Sequence, residues 1–572
     1  MARLRVWAPE AAEAAVRLDG ADVAMAREGS GWWRGPEVDP GTDYAFVLDG
    51  GEPLPDPASR WQPFGVHGAS RVYDQDAYDW HDSAWRGRDL TAAVVYEAHV
   101  GTFTAGATFD SAVERLPDLV ALGVTHVELL PVNAVNGIWN WGYDGVCWYA
   151  VHEPLGGPDG LKRFVDAAHG LGLAVVLDVV YNHLGPSGNH LPRFGPYLTT
   201  GRNTWGDLVN VEDPQVRRFV IDNALMWLRD FHVDGLRLDA VHALHDSSPT
   251  HILAQLAGEV DALAGQLGRP LTLIAESDLN DPVMITPRAD GGYGLAAQWA
   301  DDVHHAWHAN LTGETDGYYC DFGELSALAK AYTGAFVHDG THSTFRGRAH
   351  GRPIDPARHR GWQFVVCLQD HDQVGNRAAG ERLPELTTPA LVRAGAVLLL
   401  TAPFTPMLWM GEEWAASTRW PFFTSHPQPE LARATGEGRL AEFAGHGWDV
   451  DSMRDPQDPQ AYRGAVLDWA ERAAPGHAEV LDLYTRLLAL RASEPDLRDT
   501  DLRRVRVTYD EEQRWLVVVR GGFRVAANLA GVERTVSLGG AAWEVVLATG
   551  AVTLDGAVVR LGPETAAILR AR

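Results

Sequence analysis

The sequence predicts an α/β protein: a (β/α)8 TIM barrel with long loops (91–490), preceded by an N-terminal β-sandwich (1–90) and followed by a C-terminal antiparallel β domain (491–572). Three observations predict it. Between 93 and 413, eight short apolar runs alternate with longer helical patterns, which is how parallel βα units read. On either side the chain changes to Val-, Trp- and Tyr-rich runs punctuated by Gly and Pro, as antiparallel sheets do. The length of 572 residues exceeds one ordinary core and suits a barrel of roughly 250 or more residues with flanking domains.

In the first 85 residues the runs LRVWAP, AAVRL, GWWRG and DYAFVL read as strands, with a Pro-rich loop at 51–60. Trp32, Trp33, Trp61 and Trp85 are either a sugar-stacking face or sandwich core, and core is the commoner use. Every charged cluster described below follows this region, so its removal is expected to affect solubility more than chemistry.

The eight barrel strands are predicted at 93–103 (AVVYEAHVGTF), 124–132 (VTHVELLPV), 173–183 (LAVVLDVVYNH), 233–241 (VDGLRLDAV), 271–277 (LTLIAES), 296–301 (AAQWAD), 364–372 (FVVCLQDHD) and 405–413 (TPMLWMGEE). Eight closes the barrel. A helix is predicted over 213–231, with Asp213 as N-cap and Pro214 in the first turn. Three connections, 184–208, 339–362 and 415–448, exceed minimal loops and are expected to shape access to the active face. The middle one collects Arg346, Arg348, Arg352, Arg358 and Arg360, which read as solvated surface. From about Arg503, RWLVVVRGG, FRVAANL, RTVSL, WEVVLA and AVVRL predict the last sheets.

Composition narrows the partners. A formal charge of -28, from 48 basic and 76 acidic residues, argues against nucleic acid or an anionic membrane. Cys147, Cys320 and Cys367 are odd in number and widely spaced, so neither a disulfide framework nor a metal site is expected. No cofactor motif is visible. The start MARLRVWAPEA has no signal-peptide pattern and no apolar run is long enough to span a bilayer, so a cytoplasmic location is expected.

Function is read at the strand ends, where barrel active sites form. In VDGLRLDAVH (233–242), alternation points Arg237 and Asp239 the same way. A guanidinium beside a carboxylate keeps it ionised, so Asp239 is either half of a structural ion pair or a nucleophile. The other strand ends weigh for chemistry. Strand three ends in Asp178, Tyr181, Asn182 and His183, strand five in Glu276, and strand seven in Asp370, His371 and Asp372. Unpaired buried charges cost several kcal/mol each, so a structural core would not gather them. Carboxylates with an arginine and histidines, without a metal or phosphate motif, suit glycoside hydrolysis. In that scheme Asp239 is the nucleophile and Glu276, beside Ile274 and Ala275, is the acid and then the base. His183 and His371 would donate to sugar hydroxyls and Asp372 would grip two of them.

DVVYNH (178–183), GLRLDAVH (235–242), IAES (274–277) and QDHDQVGN (369–376) resemble the four conserved regions of the α-amylase superfamily of retaining glycoside hydrolases, in order and on the expected strands. The resemblance implies a covalent glycosyl-Asp239, catalytic carboxyls about 5 to 5.5 Å apart, and Asp372 as the third carboxylate, binding and distorting substrate. YEAHVGTFT (96–104), WNWGYDGV (139–146), GGPDGLKRFVDAAH (156–169), NHLGPSGN (182–189) and QWADDVHHAWH (298–308) are similar to the branch that cleaves the α-1,4 bond beside the terminal trehalose of maltooligosyltrehalose. That branch implies a maltooligosyltrehalose or related α-glucan as substrate, supplied by a maltooligosyltrehalose synthase, and a carbohydrate-binding-like N-terminal domain. Tyr143 matches the aromatic residue stacking on the sugar at the cleavage site, and no calcium pattern is present. Arg237, His242, Trp205, Asp301 and Asp302 are further substrate-binding candidates, with Trp139, Trp141, Phe194 and Tyr197 on flanking loops. Two alternatives stay open: a branching-type transglycosylase, and a non-catalytic glucan-binding protein, against which the intact Asp239, Glu276 and Asp372 speak.

Overall fold

The computed structural model describes residues 1–446, 454–540 and 542–572. Its centre is a closed barrel of eight strands: β1 Val95–Ala98, β2 His126–Leu129, β3 Ala174–Val179, β4 Gly235–Leu238, β5 Thr272–Ala275, β6 Ala297–Trp299, β7 Phe364–Cys367 and β8 Thr405–Trp409. Each strand pairs in parallel with its neighbours in the chain, and β8 closes on β1. All eight fall inside the predicted runs.

Helices fill the outer ring, among them α1 Gly157–Gly170, α2 Pro214–Asp230, α3 Ile252–Leu267, α4 Asp301–Thr312, α5 Pro389–Leu400 and α6 Pro475–Ser493. The start of α2 follows from its sequence: the Asp213 carboxylate accepts from the Gln215 and Val216 amides, and Pro214 gives up no needed donor. Helix α5 is apolar almost all round because it is covered twice, by the barrel and by the C-terminal sheet.

Register explains where polarity collects. Residues paired across parallel strands share a face, so the pairs Val176 with Gly235, Ile274 with Ala297, Val365 with Thr405 and Met407 with Val95 mark one inward series. Val95, Val176, Ile274, Ala297, Trp299, Val365, Cys367 and Met407 pack together there. Two residues further along the same faces stand Glu97 with Glu128, Asp178 with Arg237, and then Glu276. The lumen is apolar below and charged above.

The N-terminal region forms a three-stranded sheet (Ala2–Trp7, Ala26–Arg27, Trp32–Val38) and a four-stranded one (Ala14–Leu18, Ala21–Ala24, Asp43–Leu48, Ser70–Arg71). Its tryptophans are largely held: Trp33 Nε1 donates to the Ala8 carbonyl, Trp61 Nε1 to Glu153, and Trp85 stacks on His169. The region also holds the 184–208 loop. Phe46 meets Phe194 edge-on at 6.4 Å, Trp7 meets Tyr197 at 5.2 Å, and His67 Nδ1 lies 3.1 Å from His190 Nε2. Removing it would therefore disturb a loop of the active face, contrary to the expectation that mainly solubility would suffer. At the other end, a five-stranded and a three-stranded antiparallel sheet pack around Val517, Val536, Trp543 and Val559.

Of the long connections, 415–448 carries the helix Pro429–His446, while its end at Trp448 lies outside the described residues. Four of the five arginines of 339–362 are paired, Arg346 with Asp278, Arg352 with Asp281, Arg358 with Asp290 and Arg360 with Asp501, and Arg346 and Arg360 are half-buried.

Candidate active site

The site begins where β4 ends. Arg237 is fully buried, and its Nη1 donates to Asp239 Oδ1 at 2.6 Å and to Asp178 Oδ2 at 2.8 Å. Asn182 Nδ2 adds a bond of 2.7 Å to Asp239 Oδ2, so both oxygens of the aspartate are oriented. The next residue, Ala240, takes a left-handed φ of 41°, a conformation a side chain resists. That turn aims the Ala240 amide at Glu276 Oε2, 2.5 Å away.

Glu276 and Asp239 also share one guanidinium, since Arg237 Nη2 lies 3.4 Å from Glu276 Oε2. Burial pushes the Glu276 carboxyl up, Arg237 pulls it down, and the charges of Asp239 and Asp372 push it up again, to about 8. Both carboxyls keep an exposed edge on the cleft, 12% of the Asp239 side chain and 17% of that of Glu276.

Beyond β7 the short helix His371–Gly375 presents Asp372, whose side chain is 40% exposed and accepts from Asn376 Nδ2 at 3.1 Å. Asp370 caps that helix through the Gln373 amide at 2.7 Å, which gives it a structural task at the edge of the site.

Below the cleft floor runs a chain of bonds that the sequence reading missed. Glu97, at the top of β1, accepts from the His371 amide at 3.0 Å and from His371 Nδ1 at 2.5 Å. His371 Nε2 lies 2.7 Å from the Tyr143 hydroxyl, which donates to Asp178 Oδ2 at 2.7 Å and so reaches Arg237. Burial alone would lower the His371 pKa, but the facing charges of Asp372 and Glu97 raise it to about 10, so the imidazole is a cation with both nitrogens donating. Burial likewise pushes Asp178 up to about 7 against the pull of Arg237. The signal for Glu97 was available: it is a carboxylate in an otherwise apolar strand, on the face that alternation turns inward.

A cleft of about 470 Å3 opens above these groups, lined by Trp141, Tyr143, His183, Trp205, Asp239, Glu276, His371 and Asp372. Trp205 is 48% exposed and stacks on His183 at 5.7 Å, as a ring awaiting a planar or cyclic ligand would. Trp141 is buried against Trp420 at 4.6 Å and offers only an edge. On the opposite wall Arg439, from the 415–448 connection, bonds to Asn376 and lies 4.7 Å over Phe422.

Several sequence expectations need correction. Arg237 does not reach the cleft; it is buried beneath the carboxylates and acts on substrate only through them. Asp302 faces away, accepting from Asn280 Nδ2 and from the Val337 and His338 amides at 2.7 to 2.9 Å. Adjacent helical residues project about 100° apart, so Asp301 and Asp302 could not both face the site. Asp301 does not line the cleft either, but it lies close enough to Asp370, Glu276, Asp278 and Asp372 that burial and their charges push its carboxyl well up. His183 uses both ring nitrogens internally, on Asn182 Oδ1 at 2.6 Å and the Tyr143 carbonyl at 3.0 Å, and offers its ring rather than a donor. His242 sits half-buried at the rim, with Nδ1 accepting from the Asp278 amide at 3.3 Å. Phe194 and Tyr197 are packed under the N-terminal region, and Trp139 stacks on Tyr462 at 5.3 Å. Arg346, read as surface, reaches Asp278, two residues beyond Glu276. Among the described residues no group of three or more His, Cys, Asp or Glu is placed to hold a metal ion.

Comparison with known proteins agrees with this geometry. The family model described as alpha amylase, catalytic domain, matches residues 107–191, and a domain of unknown function (DUF3459) matches 500–568. A malto-oligosyltrehalose trehalohydrolase of Arthrobacter ramosus is 54% identical over 99% of both chains. That of Rhizobium sp. (strain M-11) is 52% identical over 99% of this chain and 97% of its own. A 1,4-alpha-glucan branching enzyme of Aliivibrio fischeri is 35% identical over 42% of this chain and 38% of its own. Among solved structures, a Salmonella typhimurium protein assigned to the alpha amylases superposes with a TM-score of 0.91 at 37% identity, covering 100% of this chain and 97% of that one.

Proposed function

This chain belongs to the malto-oligosyltrehalose trehalohydrolase family, and on that premise we propose how it hydrolyses the α-1,4-glucosidic bond next to the terminal trehalose of a maltooligosyltrehalose. Asp239 attacks the anomeric carbon while Glu276 protonates the departing oxygen, releasing trehalose. Water then attacks the glycosyl-Asp239 ester, with Glu276 now taking its proton. The switch has a physical cause. Esterification removes the negative charge of Asp239, one of the charges that raise Glu276, so the glutamate becomes a stronger acid once its proton has gone. Asp372 grips sugar hydroxyls from the exposed side, Tyr143 and Trp205 supply ring surface, and Arg237 orients the nucleophile.

The observation that carries the reading is the shared guanidinium: Asp239 and Glu276 are held side by side on Arg237, and burial with the charges of Asp239 and Asp372 drives Glu276 up to about 8. Such a pairing supports the short carboxyl separation of a retaining enzyme, and the raised Glu276 carboxyl suits the acid. Trehalose, joined through both anomeric carbons, bends differently from maltose; His242 and Asp301 are our candidates for reading that bend. The branching-type alternative is less favoured, because the branching-enzyme similarity covers 42% of this chain while the trehalohydrolases match along its length.

We further read 1–90, 91–490 and 491–572 as the three domains, and place the enzyme in the cytoplasm after a maltooligosyltrehalose synthase. No helix among the described residues is long and apolar enough to cross a membrane. Incubation with maltotriosyltrehalose and chromatography of the products tests the function: trehalose and maltotriose are expected, far faster than any cleavage of maltopentaose. Equal rates on the two substrates, or branched products, would overturn it.

A further inference from the structure

Two glutamates stand side by side in the charged upper part of the barrel lumen, and only one of them has a bonding partner described above. Glu97 of β1 and Glu128 of β2 are paired in register on parallel strands, and each is 1% exposed. Neighbouring strands lie about 4.8 Å apart and in-register residues share a face, so the two carboxyls project into the same space. Glu128 sits among Glu97, Arg237, Asp178 and His371, whose charges all act on it.

Two like charges buried at this spacing need a cation each. The cations present are already committed: Arg237 to Asp178 at 2.8 Å and Asp239 at 2.6 Å, and His371 to Glu97 at 2.5 Å. The donors then say which glutamate is the anion. Glu97 accepts on both oxygens, from the His371 amide and from His371 Nδ1, whereas Glu128 Oε2 has no hydrogen-bond partner. A buried carboxylate without donors is costly, while a carboxylic acid in the same place brings a donor of its own. Burial, reinforced by the charge of Glu97, accordingly holds the Glu128 carboxyl well above the usual carboxylate range.

We propose that Glu128 is a positioning residue for the hydrolysis: its carboxylic O–H donates to the Glu97 carboxylate, so that one proton serves the pair. The bond steadies Glu97 and, through it, the chain His371, Tyr143, Asp178 and Arg237 that ends on the nucleophile. Glu128 itself is not among the residues lining the cleft. The inference rests on the reading of Asp239 as the nucleophile of a glycoside hydrolase.

Infrared difference spectra, substrate-free native protein minus Glu128→Gln at neutral pH, test the proton without reference to activity. A carboxylic-acid carbonyl band that shifts in heavy water should be lost; loss of a carboxylate band in its place would overturn the proposal. Rates on maltotriosyltrehalose test the positioning. Glutamine keeps an N–H donor, so Glu128→Gln should hold kcat within about threefold, whereas Glu128→Leu should lower it about 10- to 100-fold with KM within about twofold. If Glu128→Leu fails to fold, Glu128→Met carries the same expectation. In a Glu97→Gln background Glu128→Leu should cost little more, because the charge-assisted bond has already gone. No difference between the Gln and Leu variants, or losses that multiply in the double variant, would overturn the positioning role. A native enzyme that releases no trehalose would fault the proposed function alone and leave the infrared result to decide the proton.

Discussion

Strand β4 is flanked by two aspartates, buried Asp234 before it and half-buried Asp239 after it, and they are used differently. Asp234 is 2% exposed and all its acceptor positions are filled: Oδ1 by Trp85 Nε1 at 2.7 Å and Arg269 Nη1 at 2.5 Å, Oδ2 by His169 Nε2 at 2.8 Å and the Val175 amide at 2.9 Å. Burial would raise its pKa, but His169 and Arg269 hold it below the usual 3.8. Around Asp239 the accounts stay open. Asp178 Oδ1 and Arg237 Nε have no hydrogen-bond partner, Asp239 faces a cleft, and Glu276 stands at about 8. A closed set of donors and acceptors fastens the barrel's lower rim to the segment carrying Asp82 and Trp85; an open set, aimed at a cavity, is prepared for a ligand.

The sharpest way to break this contrast is to remove each carboxylate in turn. Asp239→Ala and Glu276→Gln should each lower kcat by about 10⁴-fold or more with little change in Tm. Asp234→Ala should do the reverse, costing about 3 to 5 kcal/mol by stranding His169 and Arg269, with native kcat per folded molecule. Denaturant titration beside active-site counting checks both. A folded but inactive Asp234→Ala protein would dissolve the distinction.

The two ends should also fail at opposite pH. In the proposed mechanism Glu276 acts protonated, so kcat/KM should fall as pH rises through about 8. The folded pKa of Asp234 lies below its unfolded value, so its stabilisation is full above 3.8 and fades as pH falls through the folded pKa. Tm measured against pH should therefore drop on the acid side, with a shallower slope in Asp234→Asn.

How much of this was legible beforehand depended on local pattern. The eight strands could be read because each is a short apolar run bounded by turns, and Asp239, Glu276 and Asp372 because charged residues at the ends of such runs break the pattern. Glu97 was passed over although it breaks the pattern in the same way. Its partner His371 lies 274 residues away in the chain, and no spacing rule joins the two. Asp302 was assigned to the cleft because sequence gives neighbouring helical residues but not the direction each one faces. The packing of Phe194 and Tyr197 under the N-terminal sheets was likewise out of reach, being a contact between regions that fold from separate local patterns.

A smaller effect is expected at Glu97. Glu97→Gln keeps the shape but removes one of the two charges, Asp372 and Glu97, that sustain the His371 cation, so the variant should lose about 10- to 100-fold in kcat/KM and show a new ionisation below pH 10, readable in the pH profile. An unchanged profile would place Glu97 with the closed, structural set.

The mildest comparison is between Asp301 and Asp302. Asp302→Ala leaves the Val337 and His338 amides without their acceptor and should cost about 1 to 3 kcal/mol of stability with unchanged preference between maltotriosyltrehalose and maltopentaose. Asp301→Asn should narrow that preference at nearly native stability. Rate ratios for the two substrates decide.

The claim that the open end of β4 performs the chemistry is tested most directly by trapping. When the Glu276→Gln variant is mixed with maltosyl fluoride, whose leaving group needs no acid, glycosylation proceeds while hydrolysis lacks its base. Intact mass spectrometry followed by peptide mapping should then find one maltosyl unit added per chain, on Asp239. A label on Asp178 or Asp372, or fluoride release with no labelled protein, would contradict the assignment of Asp239 as nucleophile.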